Sequence, residues 1–100
     1  MHINFRTKHL EKCYLKHDKA VKEFGEHVAR KYIQRIDIIK QTKNLDALKQ
    51  LPGLGCHPLT GNRQGQFAIK LTGFNRLIFT LEGDQLQIVC IEEVSKHYDD

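Results

Sequence analysis

Residues 67–91 read Phe67-Ala68-Ile69-Lys70-Leu71, Thr72-Gly73-Phe74-Asn75, Arg76-Leu77-Ile78-Phe79-Thr80-Leu81, Glu82-Gly83-Asp84, then Gln85-Leu86-Gln87-Ile88-Val89-Cys90-Ile91. Phe67, Ile69 and Leu71 alternate with Ala68 and Lys70, and residues two apart in a strand share a face. Thr72 to Asn75 supplies turn chemistry, and Arg76 to Leu81 forms the next strand. Glu82-Gly83-Asp84 reads as a tight hairpin. Leu86, Ile88 and Cys90 fall on one face of the third strand, Val89 and Ile91 on the other. A strand apolar on both faces is expected at the centre of a sheet. Three strands with two short links make an antiparallel meander.

Upstream, the period changes. His2-Ile3-Asn4-Phe5-Arg6 alternates and predicts a short strand. Thr7 has the hydroxyl to cap a helix from Lys8 to about His17. Asp18 is then the expected N-cap of a longer helix, in which Val21, Phe24, Val28, Tyr32, Ile36 and Ile39 form one apolar stripe. Gly25 inside that helix costs about 1 kcal/mol relative to alanine. The two helices predict a helical hairpin. Leu45, Leu48 and Leu51 add one further turn. Pro52 to Gly65 is read as a loop with Gly53, Gly55, Pro58, Gly61 and Gly65, a length at which loops carry function. The expected fold class is α+β: an N-terminal strand, a helical hairpin, then an antiparallel three-stranded meander, forming one sheet covered on one face by the long helix.

With 100 residues, one domain spanning 1–100 is expected. No run of 18 apolar residues is present, so no membrane span is expected. The charged first twenty residues give no signal-peptide core, and no glycine-rich strand-to-helix turn suggests a dinucleotide site. Cys13, Cys56 and Cys90 are odd in number and lack a CxxC pair. They predict neither disulfides nor zinc, but small buried hydrophobes in a cytoplasmic protein. No cofactor is expected.

The net charge of +4 is uneven: residues 1–50 carry +6 and residues 51–100 carry −2. A basic helical surface suits nucleic acid or an acidic partner, and also serves as an ordinary solvated face. His9, Cys13 and His17 share one helix face, but the first and last are about 12 Å apart at 1.5 Å per residue, too far for one metal ion.

The polar residues hardest to explain by folding lie in the loop and strands: His57, Arg63, Lys70, Arg76, Glu92, Glu93, His97 and Tyr98. In an antiparallel meander Lys70 and Arg76 project from one face. Cations for a phosphate, with a histidine and a carboxylate for protons, are what metal-free RNA cleavage needs. The attacking 2′-hydroxyl needs a base, the pentacoordinate phosphate needs positive charge, and the leaving oxygen needs a proton. The same residues have structural uses: Arg76 paired with Glu82 or Glu92 across strands, and His57 fixing its loop by a hydrogen bond. Phe74 either returns to the core from its turn or, like Tyr98, stacks on a base.

Leu51-Pro52-Gly53-Leu54, His57-Pro58-Leu59, Gly61-Asn62-Arg63, Gly65-Gln66-Phe67 and Asn75-Arg76-Leu77-Ile78-Phe79 together resemble the HigB-type plasmid-maintenance killer toxins of the RelE/ParE superfamily. The specific likeness covers about thirty residues, and the element order extends it over the chain. It implies a compact RelE-like fold and a toxin of a type II toxin–antitoxin system. The implied activity is that of a ribosome-dependent, metal-independent mRNA endoribonuclease that inhibits translation. It also implies a HigA-type helix-turn-helix antitoxin, with the ribosome and mRNA as further partners. On this resemblance Arg76, His57, His97 and Glu92 are the catalytic candidates, and Arg63, Lys70, Asn75 and Tyr98 the RNA-binding ones. Two departures stand out: Thr60 replaces a basic residue after His57-Pro58-Leu59, and Glu92-Glu93-Val94 stands where many members have Asp-Tyr-His. Two other readings compete: a ParE-like DNA gyrase inhibitor without nuclease activity, and an inactive remnant that binds only antitoxin.

Overall fold

The computed structural model describes residues 1–96. The elements, in order, are β1 (His2–Phe5), α1 (Lys8–Leu15), α2 (His17–Phe24), α3 (Glu26–Gln41), α4 (Leu45–Gln50), β2 (His57–Pro58), a 3-10 turn (Gly61–Arg63), β3 (Gln66–Lys70), β4 (Arg76–Glu82) and β5 (Ile88–Ser95). The α+β class and the helix-then-meander order stand, but the sheet has five strands in the order β1-β5-β4-β3-β2. The three-stranded meander forms its middle. β1 extends it by pairing parallel to β5, and the two-residue β2 extends it beside β3. Neither addition follows from a hairpin signal, because each is made by a distant or very short segment. The central strand is β4, and β5 is its interior neighbour.

Thr7 caps α1 as expected, its Oγ1 accepting from the Leu10 N–H at 3.1 Å. The long helix is not continuous. Gly25 adopts φ 85° and ψ 161° and divides α2 from α3, and α2 starts after Lys16 rather than at Asp18. That backbone region is open essentially to glycine alone, so Gly25 is a corner rather than a tolerated flaw. The corner lets α3 lay Ala29, Tyr32, Ile36 and Ile39 against the sheet while α2 contributes Ala20.

Alternation sorts the sheet into two faces. Ile69, Leu77, Phe79, Val89 and Ile91 meet Leu10, Cys13, Ala20, Tyr32 and Ile36 in the main core. Tyr32 is fully buried, and its hydroxyl donates to the Leu10 carbonyl at 2.8 Å, which satisfies its one polar atom. The three cysteines are free and buried. Among the described residues, the opposite face carries a small apolar cluster of Leu59, Ala68 and Ile78. No helix among the described residues is long and apolar enough to cross a membrane.

Candidate functional site

The face of the sheet away from the helices holds most of the sequence-predicted residues, and the strand register fixes their order. His57 pairs with Ala68, Ala68 with Ile78, and Ile78 with Glu93. One rung away, Lys70 pairs with Arg76 and Arg76 with Ser95. Directly opposed residues share a face, so Lys70 and Arg76 do project together. His57 and Glu93 end the other row, with backbones about 14 Å apart at 4.7–4.9 Å per strand. Leu59 folds over Ala68 and Ile78 between them.

A bulge makes this arrangement possible. Ile78 pairs with Glu93 but Phe79 with Ile91, so Glu92 is an extra residue in β5. One extra residue inverts the alternation. Glu93 and Ser95 therefore turn to the open face, although Ile91 faces the core. Glu92 to Ser95, beyond the apolar run that ends at Ile91, form the second half of β5.

Each candidate has a definite setting. His57 is half-buried, and its Nδ1 donates to the Gly55 carbonyl at 2.9 Å, which makes Nε2 the basic nitrogen of the neutral ring. Loop anchoring and proton transfer are thus compatible in one side chain. Burial pushes the adjacent Cys56 thiol up to about 11, so it stays protonated and is no nucleophile for His57 to activate. Arg63 Nη1 donates to Gln66 Oε1 at 3.1 Å and lies 3.7 Å from Glu93 Oε2. Glu93, singled out in the sequence but given no role there, faces Arg63 because the bulge at Glu92 turns it to the open face. Lys70 is exposed, and its stem crosses Gly55 so closely that a Cβ there would lie 3.1 Å from Lys70 Cε.

Arg76 is buried at 8% exposure, with Nη1 donating to the Gly73 carbonyl at 2.7 Å and the Asn75 carbonyl at 3.1 Å. Asn75 Nδ2 donates to the Thr72 carbonyl at 3.1 Å. Both residues build the β3–β4 turn. The expected cross-strand pairs of Arg76 with Glu82 or Glu92 are replaced by Arg6, which reaches both acids, at 3.6 and 2.8 Å. Glu92 also accepts from Thr80 Oγ1 at 2.6 Å. The Arg6 hydrogen bonds, then the Thr80 bond, overcome its partial burial and push its pKa down to about 2. His97 and Tyr98 lie outside the described residues.

The helical histidines do not converge. His9 Nε2 is 2.6 Å from Glu23 Oε1 and 3.7 Å from Cys13 Sγ, while His17 is 3.7 Å from Glu26. Among the described residues no group of three or more His, Cys, Asp or Glu is placed to hold a metal ion. A cavity of about 880 Å³ opens beside β1 and α1, lined by Met1, Ile3, Phe5 and Tyr14, away from the cationic face.

Solved structures share this fold at low identity. A YoeB/ParE toxin from Agrobacterium tumefaciens superposes with a TM-score of 0.66 at 17% identity, covering 98% of this chain and 100% of that one. A YoeB–YefM complex from Staphylococcus aureus gives 0.64 at 16%, covering 98% of each chain. A YafQ mutant from E. coli gives 0.55 at 17%, covering 94% and 90%. No curated protein sequence matches the chain. The HigB-like toxin family, described as the RelE-like toxin of the type II toxin–antitoxin system HigB, matches residues 3–92. The chain therefore belongs to the HigB-like toxins of the RelE/ParE superfamily.

Proposed function

We propose that this toxin cleaves mRNA on the translating ribosome and so inhibits translation. The observation that carries the reading is the Lys70–Arg76 rung on the open face, one row from the row that runs from His57 to Glu93, where Arg63 meets Glu93. Exposed Lys70 and Arg63 meet the phosphate, and Arg76 adds its field while holding the turn. His57 Nε2 takes the proton of the attacking 2′-hydroxyl. His97, on sequence resemblance, protonates the leaving oxygen, and Tyr98 stands beside the RNA. Glu92 is committed to Arg6 and Thr80, which leaves it to fix the bulge. An open face cannot position a flexible substrate by itself. A ribosome that holds the mRNA supplies that entropy, and so suits a site of this shape. The lysines of α1 and α2 offer ribosomal RNA a salt-sensitive contact.

The partner that restrains the toxin is a HigA-type antitoxin, in keeping with the complexed relatives, and the site of action is the cytoplasm. A gyrase inhibitor or an antitoxin-binding remnant would not require clustered cations beside a tautomerically fixed histidine. The test is RNA mapping after induction, with Arg76→Ala and Arg76→Lys as controls. Cleavage confined to translated mRNA and lost in both variants is expected. Growth arrest with intact mRNA and altered DNA supercoiling would overturn the proposal.

A further inference from the structure

Phe74 is the most exposed large apolar side chain among the described residues, at 72%. A single exposed hydrophobe needs no explanation, but the setting of this one is unusual. The turn that carries it is fixed from several directions. The Asn75 N–H donates to the Thr72 carbonyl at 2.7 Å and the Leu71 N–H to the Asn75 carbonyl at 3.0 Å. Asn75 Nδ2 and Arg76 Nη1 add further bonds to Thr72 and Gly73. Asn75 Nδ2 and Arg76 Nη1 thus help to hold a turn whose one aromatic ring stands in water. The turn also connects Lys70 to Arg76, so Phe74 lies in the turn that this rung closes.

We infer that Phe74 is a stacking platform for one unpaired base of the RNA, next to the phosphate that exposed Lys70 meets in the field of buried Arg76. The inference rests on the RNA-cleaving reading and adds a base subsite to it. A rigid aromatic loses little entropy on stacking, and an adjacent cation pair matches the charged backbone that accompanies every base. The same pairing of a π-face with a cationic track serves single-stranded recognition generally, and it tolerates sequence because every base has a π-face.

The chain contains no tryptophan, so Phe74→Trp introduces a sole indole reporter. The probe is a short single-stranded RNA with 2′-O-methyl groups throughout, which cannot be cleaved. An oligomer of equal length and phosphate count without bases is the control. Trp emission is expected to be quenched by the first and not by the second. Phe74→Ala should weaken binding of the base-bearing RNA about fivefold or more, from a stacking contribution of roughly 1 kcal/mol or above. It should leave the abasic control unchanged. Phe74→Leu should behave like the alanine variant. Unchanged thermal midpoints would show that the exposed turn tolerates all three.

Equal quenching by both oligomers, or full binding by Phe74→Leu, would overturn the inference. So would no measurable binding of either oligomer at millimolar concentration. A Phe74→Ala variant that cleaves translated mRNA at the wild-type rate would sink the subsite and leave the nuclease reading standing. Base-dependent quenching in a toxin that leaves mRNA intact would do the reverse. If Phe74→Ala loses only antitoxin binding, the ring serves a protein partner and the subsite is wrong.

Discussion

Arg6 and Glu92 meet in two hydrogen bonds, Nε to Oε1 at 2.9 Å and Nη2 to Oε2 at 2.8 Å, although 86 positions separate them in the chain. The contact ties the end of β1 to the bulge of β5 and holds the residue that redirects Glu93 and Ser95. Its pH dependence has a definite sign. The Glu92 carboxyl titrates near 2 in the fold against an ordinary value of about 4.5. The stabilisation is therefore complete above about 4.5 and is lost as pH falls towards 2. Glu92→Gln should destabilise by about 1–2 kcal/mol at pH 7, since half-exposed Arg6 is screened by water. Urea unfolding at several pH values checks this: the gap between wild type and variant should close below about pH 4.5. A gap independent of pH would mean that packing, not charge, links β1 to β5.

Gly25→Ala is expected to destabilise, by about 1–3 kcal/mol. A Cβ at this position meets nothing within 4 Å, so the cost is purely one of backbone conformation at φ 85°. On helix propensity alone the substitution should stabilise by about 1 kcal/mol. Denaturant unfolding separates the two by sign.

That opposition marks where sequence reasoning stops. The stripe from Val21 to Ile39 keeps helical spacing through Gly25, because α2 and α3 both face the same core, so periodicity cannot see the corner between them. Strands β3 and β4 were legible because alternation and turn residues are local signals. The parallel pairing of β1 with β5 leaves no local trace, and the two residues of β2 are too few for a period. Among site residues, the shared face of Lys70 and Arg76 followed from the meander. Glu93 did not, because its orientation depends on a bulge one residue earlier. The ion pair of Arg6 with Glu92 was hidden for the same reason: it joins two segments that only the fold brings together.

Arg63 and Glu93 form a long, exposed ion pair at 3.7 Å, of a kind worth under about 1 kcal/mol. Glu93→Gln should shift stability by less than about 0.5 kcal/mol. It should release Arg63 for phosphate and tighten binding of single-stranded RNA. The slope of log K against log salt should steepen, by up to about 0.7, the value of one full phosphate contact, as Arg63 meets the backbone without competition from Glu93. A titration at four salt concentrations reads both effects. An unchanged slope would place Arg63 away from the backbone.

Tyr32→Phe removes the buried hydroxyl that donates to the Leu10 carbonyl at 2.8 Å. The expected loss is about 1–2 kcal/mol. Because this is the buried one of the bonds that hold α1 to α3, hydrogen exchange should accelerate in α1 ahead of β4 and β5. Uniform acceleration would show that α1 opens only with the whole domain.

His57 tests the chemistry most directly. Its Nδ1–H is held by the Gly55 carbonyl, so the ring presents Nε2 in the neutral form. His57→Ala should lower cleavage of translated mRNA about 10²-fold or more, the usual contribution of a positioned acid–base group. His57→Asn separates anchoring from proton transfer. Its side-chain amide can donate to Gly55 and keep the loop in place, but it has no basic nitrogen. Loop anchoring alone predicts that Asn restores activity, whereas proton transfer predicts that Asn is as slow as Ala. Full activity in His57→Asn would move the base to another residue.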